Sequence, residues 1–365
     1  MAGICFYEEG VQTFLGDGKC GFIDKTGKLV IEPKYKKIGY FSEGLAAVSE
    51  DSTFTTLGKY GYIDKTGKLV IEPKYSSNGA FSEGLVAVAE QVGKNPDDTP
   101  VVKYGYIDKT GKYVIEQDYK LLSSFGDGHA IVAKAFGINQ YIIIDKTGKD
   151  IKTIQTGSAG NTDYSYQTTF KNSSYEEYAV KDKMPSFNEG LMMTYSRGKS
   201  QPTGFTNTKG ELEIDLDPRL IGQIRPFSEG FAPVGFEVLK KEELTAIMGS
   251  EVMKDFYDWT YIDRKGVMKV KLDDPFQNAR PFAEGMAAVI PRTSDRRWAF
   301  INTEFKLAIP ACFEKVNDFR GGLASVFVVQ YANEKKGCEQ YFQGTGVGSR
   351  DAYIDKTGNV VKPQW

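Results

Sequence analysis

The feature that most constrains the fold of this chain is an internal repeat. Residues 19–35 read KCGFIDKTGKLVIEPKY, residues 59–75 read KYGYIDKTGKLVIEPKY, and residues 103–119 read KYGYIDKTGKYVIEQDY. The copies stand roughly forty residues apart, a spacing typical of repeat and propeller proteins. A chain of 365 residues would ordinarily suggest two or three domains. The repeat overrides that expectation, because repeated modules set the number of structural units.

Each copy has the pattern of a β-hairpin followed by a third strand. In GYIDKTGKLVI, apolar residues flank Asp64 and Gly67. These two suit a tight loop, since aspartate opens a type I turn and glycine takes the left-handed position that closes it. The later FSEGLVAVAE, residues 81–90, reads as another strand. Because both faces of this meander are apolar, we expect neighbouring modules to cover one another.

Two short motifs mark the modules along the chain, and we call them the DKTG turn and the FSEG segment. The DKTG turns, some weakened, lie at residues 24–27, 64–67, 108–111, 145–148, 207–210, 263–266, 302–305 and 355–358. The FSEG segments begin at Phe6, Phe41, Phe81, Phe125, Phe187, Phe227, Phe282 and Phe319. Both series indicate roughly eight modules.

The two motifs together resemble the WG repeat of bacteria, also called the KWG repeat, in which a Lys-Trp-Gly-Tyr-Ile-Asp hairpin is followed by an FSEGLA-type segment. The resemblance covers nearly the whole chain. The tryptophan of the family is replaced in the early modules and kept in two later ones, where threonine or alanine follows it instead of glycine. These positions are Cys20, Tyr60, Tyr104, Tyr141, Trp259 with Thr260, and Trp298 with Ala299. The resemblance implies interaction repeats without a common activity.

The sequence therefore predicts an all-β protein, built as a tandem array of about eight WG-type antiparallel meander modules. We expect an open or incompletely closed twisted solenoid, with a closed β-propeller as the alternative. A short helical insertion is predicted near residues 238–256. Along the chain we expect regular repeats over residues 1–150, a polar tyrosine-rich insertion over 151–183, and divergent repeats with loop insertions over 184–365.

One DKTG turn lacks the closing glycine. Phe305 stands where the other DKTG turns carry glycine. A bulky residue is disfavoured at positive φ. We therefore predict that the hairpin at residues 302–305 turns differently from the others.

Insertions fall mainly between an FSEG strand and the next hairpin, at residues 91–102, 235–258 and 331–350. In a meander these loops share one edge, and repeat proteins usually carry insertions on the binding side. The largest interruption holds residues 157–178, rich in tyrosine, serine, asparagine and glycine, a composition typical of binding loops. A surface loop without a partner is the alternative. The candidate contact residues are Tyr164, Tyr166, Tyr175 and Tyr178.

The sequence contains little that indicates a catalytic or cofactor-binding site. The aspartates of the DKTG turns and the glutamates of the FSEG segments recur in every module, as turn residues do, whereas catalysis needs an asymmetric site. His129 is the only histidine, so one chain cannot form a histidine dyad or a two-histidine metal site. GTGVG at residues 344–348 lacks the strand and helix of a dinucleotide loop. We expect no enzyme activity, no cofactor and no metal.

The arginines Arg292, Arg296 and Arg297 lie beside Trp298. This cluster could bind phosphate or nucleic acid, but a solvated loop explains it better. The chain has 46 basic and 48 acidic residues, a balance that favours neither nucleic acid nor an anionic membrane.

Four cysteines, Cys5, Cys20, Cys312 and Cys338, form no CxxC pair and lie far apart, so we expect reduced thiols in a cytoplasm. The N-terminal residues lack the pattern of a signal peptide and no stretch is apolar enough to span a bilayer, so the chain is expected to be soluble. The predicted function is a protein-binding repeat scaffold that uses its elaborated edge. The alternative is a carbohydrate- or cell-envelope-binding module, suggested by the many aromatic residues.

Overall fold

The computed structural model describes most of the repeats and leaves out several connecting segments. The described residues are 2–6, 19–51, 59–77, 79–97, 100–116, 119, 121–134, 140–155, 187–195, 202–216, 221–237, 257–270, 276–292, 296–328, 338–341 and 350–362. By internal contacts they form two units, one made mainly of residues up to 192 and the other mainly of residues from 193. Each unit is considered by itself below.

The described residues form an all-β structure, as predicted. Antiparallel strands build six sheets, and each sheet is open. Among these residues the only helical element is a 3-10 turn at Glu339–Tyr341. The helical insertion predicted near residues 238–256 lies outside the described residues. The choice between an open array and a ring stays a prediction.

The first three sheets belong to the unit formed by the earlier residues. Sheet I has the order β1-β2-β3, sheet II the order β10-β9-β8-β7-β6-β5-β4, and sheet III the order β11-β12-β13-β14. Their strands are β1 (Ala2–Phe6), β2 (Lys19–Ile23), β3 (Leu29–Tyr35), β4 (Lys37–Ile38), β5 (Leu45–Ser49), β6 (Tyr60–Asp64), β7 (Leu69–Tyr75), β8 (Leu85–Lys94), β9 (Pro100–Asp108), β10 (Tyr113–Glu116), β11 (Leu121–Leu122), β12 (His129–Ala133), β13 (Gln140–Asp145) and β14 (Asp150–Gln155).

The remaining sheets contain the divergent repeats. Sheet IV has the order β15-β16-β17, sheet V runs in sequence order from β18 to β24, and sheet VI runs from β25 to β28. Their strands are β15 (Leu191–Tyr195), β16 (Pro202–Asn207), β17 (Leu212–Asp215), β18 (Ile221–Ile224), β19 (Phe231–Glu237), β20 (Tyr257–Asp263), β21 (Phe276–Ala279), β22 (Met286–Pro291), β23 (Trp298–Asn302), β24 (Leu307–Phe313), β25 (Lys315–Val316), β26 (Leu323–Val328), β27 (Arg350–Asp355) and β28 (Val360–Val361).

In sheets II to VI, the strand after an FSEG segment pairs with the first strand of the hairpin that follows it in sequence, and from here on a module is that FSEG segment together with that hairpin. In sheet II, Leu45 of β5 lies opposite Asp64 of β6. The same register recurs in sheet VI, where Leu323 lies opposite Asp355. The FSEG segment and the DKTG turn of a module therefore share one edge of the sheet, which we call the turn edge. The inserted segments emerge at the other end of the strands, which we call the insertion edge.

The DKTG turn forms as its sequence predicts. The carbonyl oxygen of Asp64 accepts the N–H of Gly67 at 3.0 Å. The Asp64 carboxylate accepts the N–H groups of Thr66 at 2.8 Å and Lys68 at 3.1 Å. Gly67 takes the left-handed conformation at φ 84°. The aspartate side chain thus satisfies the backbone donors of the loop, and only glycine adopts its closing conformation without strain.

The prediction that residues 302–305 turn differently is wrong. Phe305 is left-handed at φ 61°, and its N–H donates to the carbonyl oxygen of Asn302 at 2.8 Å. The Phe305 ring packs at centroid distances of 5.0 Å from Phe231, 5.5 Å from Tyr261 and 5.8 Å from Phe282. Burial of the ring among these aromatic residues offsets the backbone strain.

The core between modules is built from repeated aromatic pairs. The phenylalanine of an FSEG segment packs on the hairpin aromatic residue of the preceding module, as in Tyr62 with Phe81 at 5.1 Å and Tyr106 with Phe125 at 4.8 Å. The Tyr62 hydroxyl also donates to the carbonyl oxygen of Gly79 at 3.0 Å. The tyrosines therefore bury their rings and still satisfy their hydroxyl groups.

Candidate functional site

The FSEG segments carry a backbone feature that the sequence did not reveal. Their acidic residue is left-handed and is followed by a left-handed glycine, although non-glycine residues rarely adopt positive φ. These acidic residues, with φ between 50° and 55°, are Glu43, Glu83, Asp127, Glu189, Glu229 and Glu284. Such strain persists where surrounding contacts hold it in place.

The contacts that hold Glu83 come from the next module. Its carboxylate accepts the N–H of Gly128 at 2.9 Å and forms an ion pair with Lys146 at 3.0 Å. Beside it, the Ser82 hydroxyl donates to the carbonyl oxygen of Phe125 at 2.6 Å. We call the hydrogen bond from an FSEG glycine N–H to the carboxylate of the preceding FSEG segment the module clasp.

The module clasp recurs in both units. Glu43 accepts the N–H of Gly84 at 2.9 Å and pairs with Lys109 at 3.1 Å. In the other unit Glu284 accepts the N–H groups of Gly321 at 2.6 Å and Gly322 at 2.9 Å, and it pairs with Lys356 at 3.4 Å. The FSEG glutamates, expected to be turn residues, therefore connect consecutive modules.

One clasp shows how the sequence compensates for a shorter side chain. Asp127 replaces the glutamate, and its carboxylate accepts the N–H of Gly190. The serine position of this segment is Gly126, where a Cβ atom would lie only 2.2 Å from the carbonyl oxygen of Phe187. The missing side chain lets the two segments approach, which an aspartate needs because it is one methylene shorter than glutamate.

The clasp carboxylates are held in their charged form. Burial raises the pKa of Glu83, but the Lys146 ammonium and the Gly128 N–H outweigh burial, so the pKa lies below its usual value. The Thr66 hydroxyl likewise lowers the pKa of Asp64. These carboxylates are engaged by the chain itself, so they are poor candidates for acid–base catalysis.

At the insertion edge, residues 91–94 and 100–102 form strand rather than an irregular loop. Strands β8 and β9 continue past the module core, from Gln91 opposite Val102 to Lys94 opposite Pro100. On this extension the side chains of Val92 and Val101 are 54% and 38% exposed. The extension therefore carries apolar side chains that are exposed.

The other predicted sites have different outcomes. Tyr164, Tyr166, Tyr175 and Tyr178 lie outside the described residues. Arg292 is paired with Asp258 at 2.8 Å, which favours a structural role for this arginine. Among the described residues no group of His, Cys, Asp or Glu is placed to hold a metal ion, and no helix has the length and apolar character to cross a membrane.

The prediction of reduced cysteines is wrong. Cys312 and Cys338 form a disulfide across a sequence separation of 26 residues, and Cys20 is disulfide-bonded as well. The prediction failed because these cysteines show no local spacing pattern. Without reduced thiols, the cytoplasmic location loses one of its grounds.

The later modules add a stacked arginine to the FSEG segment. The Arg225 guanidinium lies 4.4 Å from the ring centroid of Trp259, and it donates to the carbonyl oxygen of Ala279 at 2.6 Å. Arg280 stacks in the same way on Trp298 at 4.9 Å. Family comparison places these tryptophans in repeats, since the WG containing repeat family matches residues 21–54, 60–91, 104–135, 259–290 and 298–328. The chain is a WG-repeat protein. Each matched segment begins at or next to a hairpin strand and runs through the following FSEG segment.

Solved structures similar to this WG-repeat protein share little sequence with it. A crystal structure of the eukaryotic initiation factor has 11% identity and a TM-score of 0.44, with 98% of this chain and 94% of that chain covered. BamB from Moraxella catarrhalis has 13% identity and a TM-score of 0.37, with 80% and 81% covered. The β-propeller domain of the Trilobed protease from Pyrococcus furiosus has 11% identity and a TM-score of 0.37, with 80% and 89% covered. The comparison with curated proteins gives no significant match.

Proposed function

We propose that this WG-repeat protein is a non-enzymatic scaffold that binds another protein through its insertion edge. The observation that carries the proposal is the β8–β9 extension, on which Val92 and Val101 are exposed beyond the core of their module. Exposed apolar side chains on a built, hydrogen-bonded strand pair are suited to protein contact, because their burial by a partner is favourable and costs little ordering.

The two edges of the modules support this assignment. At the turn edge, polar groups such as the carboxylates of Glu43 and Glu83 are used to join modules. At the insertion edge, the chain can lengthen or shorten without disturbing those contacts. Binding surfaces of repeat proteins commonly develop where such variation is tolerated.

The aromatic content favours a protein partner over a carbohydrate. Sugar-binding sites need exposed aromatic faces, whereas many aromatic side chains of the described modules are buried, among them Tyr62, Tyr106, Tyr261 and Trp259. Among the large hydrophobic side chains of the described residues that are exposed, Tyr40, at 56% exposure, is the only aromatic one. The aromatic residues that suggested a glycan are therefore better explained as core residues.

The test compares two matched pairs of substitutions in affinity capture from the native organism. Val92→Lys with Val101→Lys charges the insertion edge. Val30→Lys with Val70→Lys charges two valines of similar exposure, 42% and 41%, on the hairpin strands β3 and β7. We expect the first pair to lose the partner captured by the intact chain and the second pair to retain it, with both variants folded by circular dichroism.

A second comparison tests the candidate tyrosines. Deletion of residues 157–178 removes Tyr164, Tyr166, Tyr175 and Tyr178 together. We expect this deletion to weaken capture of the same partner. Unchanged capture by both the deletion and the Val92→Lys, Val101→Lys variant would contradict the proposed binding edge.

A further inference from the structure

The disulfide between Cys312 and Cys338 joins a core strand to an inserted segment. Cys312 lies in β24, and Cys338 precedes the 3-10 turn Glu339–Tyr341. Both cysteines are 0% exposed. The segment that carries Cys338 belongs to the insertion at residues 331–350, so the bond fixes one point of that insertion against sheet V.

Tyr341, three residues after Cys338, is buried in the same core cluster as the two cysteines. The Tyr341 ring is 1% exposed and lies 4.9 Å from the ring of Phe313. The Gln340 side-chain amide donates to the carbonyl oxygen of Gly358 at 3.2 Å. Tyr341 also lies over that turn, since a Cβ atom on Gly358 would be 3.0 Å from the Tyr341 hydroxyl oxygen. Cys338 and Tyr341 are therefore part of the core of sheets V and VI, whereas Gln340 is exposed.

The burial of the Cys312–Cys338 disulfide limits when this bond can form. Thiol–disulfide exchange requires the attacking sulfur to reach the bond, and a disulfide with no exposed surface is closed to reagents in the folded protein. The bond must form while residues 338–341 are still accessible, which is during folding. A disulfide donor must therefore be present where the chain folds.

A second disulfide supports the same conclusion. Cys20, in β2, is 4% exposed and is also disulfide-bonded. Paired cysteines are typical of oxidising compartments and rare where glutathione and thioredoxin keep thiols reduced. Disulfide-bonded cysteines in both units indicate a chain adapted to oxidising conditions.

We infer that this protein folds in an oxidising compartment outside the cytoplasm, where a disulfide donor installs the Cys312–Cys338 bond that holds Cys338 and Tyr341 in the core. The Cys312 thiolate attacks the donor disulfide, its S–S bond breaks, and one donor thiolate leaves. The Cys338 thiolate then attacks the mixed disulfide and releases the second donor thiolate. The two cysteines lose two electrons and two protons, and the donor is reduced to two thiols. The inference does not depend on the proposed function.

The test traps the thiols of the protein in its native cells. Cells are quenched in acid and the protein is unfolded. Thiols are labelled with N-ethylmaleimide before reduction and with its deuterated form after reduction, so that peptide mass spectrometry distinguishes the two. We expect Cys312 and Cys338 to be labelled only after reduction. Labelling of both before reduction in most of the molecules would overturn the inference.

A kinetic measurement on the purified protein tests whether the Cys312–Cys338 bond is inaccessible in the folded state. The intact folded chain is treated with dithiothreitol in the absence and presence of urea, and free thiols at Cys312 and Cys338 are followed over time. We expect reduction to be at least tenfold slower in the folded protein. Equal rates would show that the segment opens freely and that the bond is accessible in the folded protein. Both readouts use the wild-type chain, so neither depends on a variant that fails to fold.

Discussion

The left-handed conformation of Phe305 predicts an unusual order of stability for two substitutions. At most positions glycine is less stable than alanine by roughly 0.5–1 kcal/mol, because the unfolded chain gains more freedom. At Phe305 the backbone is at φ 61°, where a Cβ atom costs roughly 1–2 kcal/mol and glycine costs nothing. We therefore expect Phe305→Gly to be more stable than Phe305→Ala by about 0.5–1 kcal/mol.

Both substitutions also remove the aromatic ring. Truncation of a buried phenylalanine to alanine costs roughly 3–5 kcal/mol, and the partial exposure of Phe305 reduces that loss to about 2 kcal/mol. The ring term is common to the two variants, so it cancels when they are compared. The remaining difference comes from the backbone, and it favours glycine over alanine only at a left-handed position.

Hydrogen exchange is the assay of choice, because it reports the opening of one hairpin rather than of the whole array. A difference of about 0.5–1 kcal/mol corresponds to exchange in peptide 298–313 that is roughly two- to five-fold faster in Phe305→Ala than in Phe305→Gly. Peptide 60–75, in sheet II, should exchange equally in both variants.

The matched control is Glu304, an exposed residue of the same turn that is not left-handed. There the ordinary order should hold, with Glu304→Ala exchanging more slowly than Glu304→Gly. Slower exchange in Phe305→Ala than in Phe305→Gly would refute the reasoning, because the backbone strain inferred at Phe305 would then be absent.

Three further predictions concern the links between modules. The folded pKa of Glu83 lies below its unfolded value near 4.5, so the stabilisation by its carboxylate is present above that pH and is lost as pH falls through the folded pKa. Thermal midpoints should therefore drop between pH 5 and pH 3, and equal midpoints would contradict a stabilising clasp. Gly111→Ala, at φ 83° and with its Cβ 3.1 Å from the Ile71 side chain, should lower the free energy of urea unfolding by about 1 kcal/mol, because the left-handed penalty of roughly 1–2 kcal/mol exceeds the entropy gain of alanine. Gly93→Ala, in open space and not left-handed, should instead raise it by roughly 0.5 kcal/mol, and a loss at both positions would contradict the reasoning. Replacing Cys312 and Cys338 by serine should lower the free energy of unfolding by about 3.5 kcal/mol, the loop-closure value for a separation of 26 residues, and a loss near zero would exclude a stabilising role.

The sequence was sufficient to predict the parts of the fold that depend on local contacts. The turn at Asp64 and Gly67 is such a part, because aspartate and glycine three residues apart satisfy the loop within itself. The pairing of Leu45 with Asp64 also follows, since turn position and strand alternation fix the register. Repetition strengthened these predictions, because each copy tested the same interpretation.

The sequence was insufficient wherever a residue acts on a distant partner. Glu83 binds an N–H group 45 residues away, so its repetition suggested a turn residue instead of a link. The signal that could have revealed it is the retained carboxylate of Asp127 together with the loss of the serine at Gly126. The prediction for the turn at Phe305 was wrong because the ring contacts that stabilise this turn come from other strands.

The candidate binding edge was predicted in part. Its location opposite the DKTG turns follows from the meander order and agrees with the strand pairing, in which Lys94 and Pro100 lie far from Leu85 and Asp108. Continuation of β8 through residues 91–94 and of β9 through residues 100–102 was not predicted. The segment was interpreted as an insertion because it has no counterpart in the other modules.

The last FSEG segment, residues 319–322, has Gly321 where the earlier segments carry an acidic residue. Gly321 still gives its N–H to Glu284, so this module is held by the one before it. It has no carboxylate at that position with which to hold a successor. A duplicated module placed after this one would therefore be joined without the carboxylate contact that the earlier modules share.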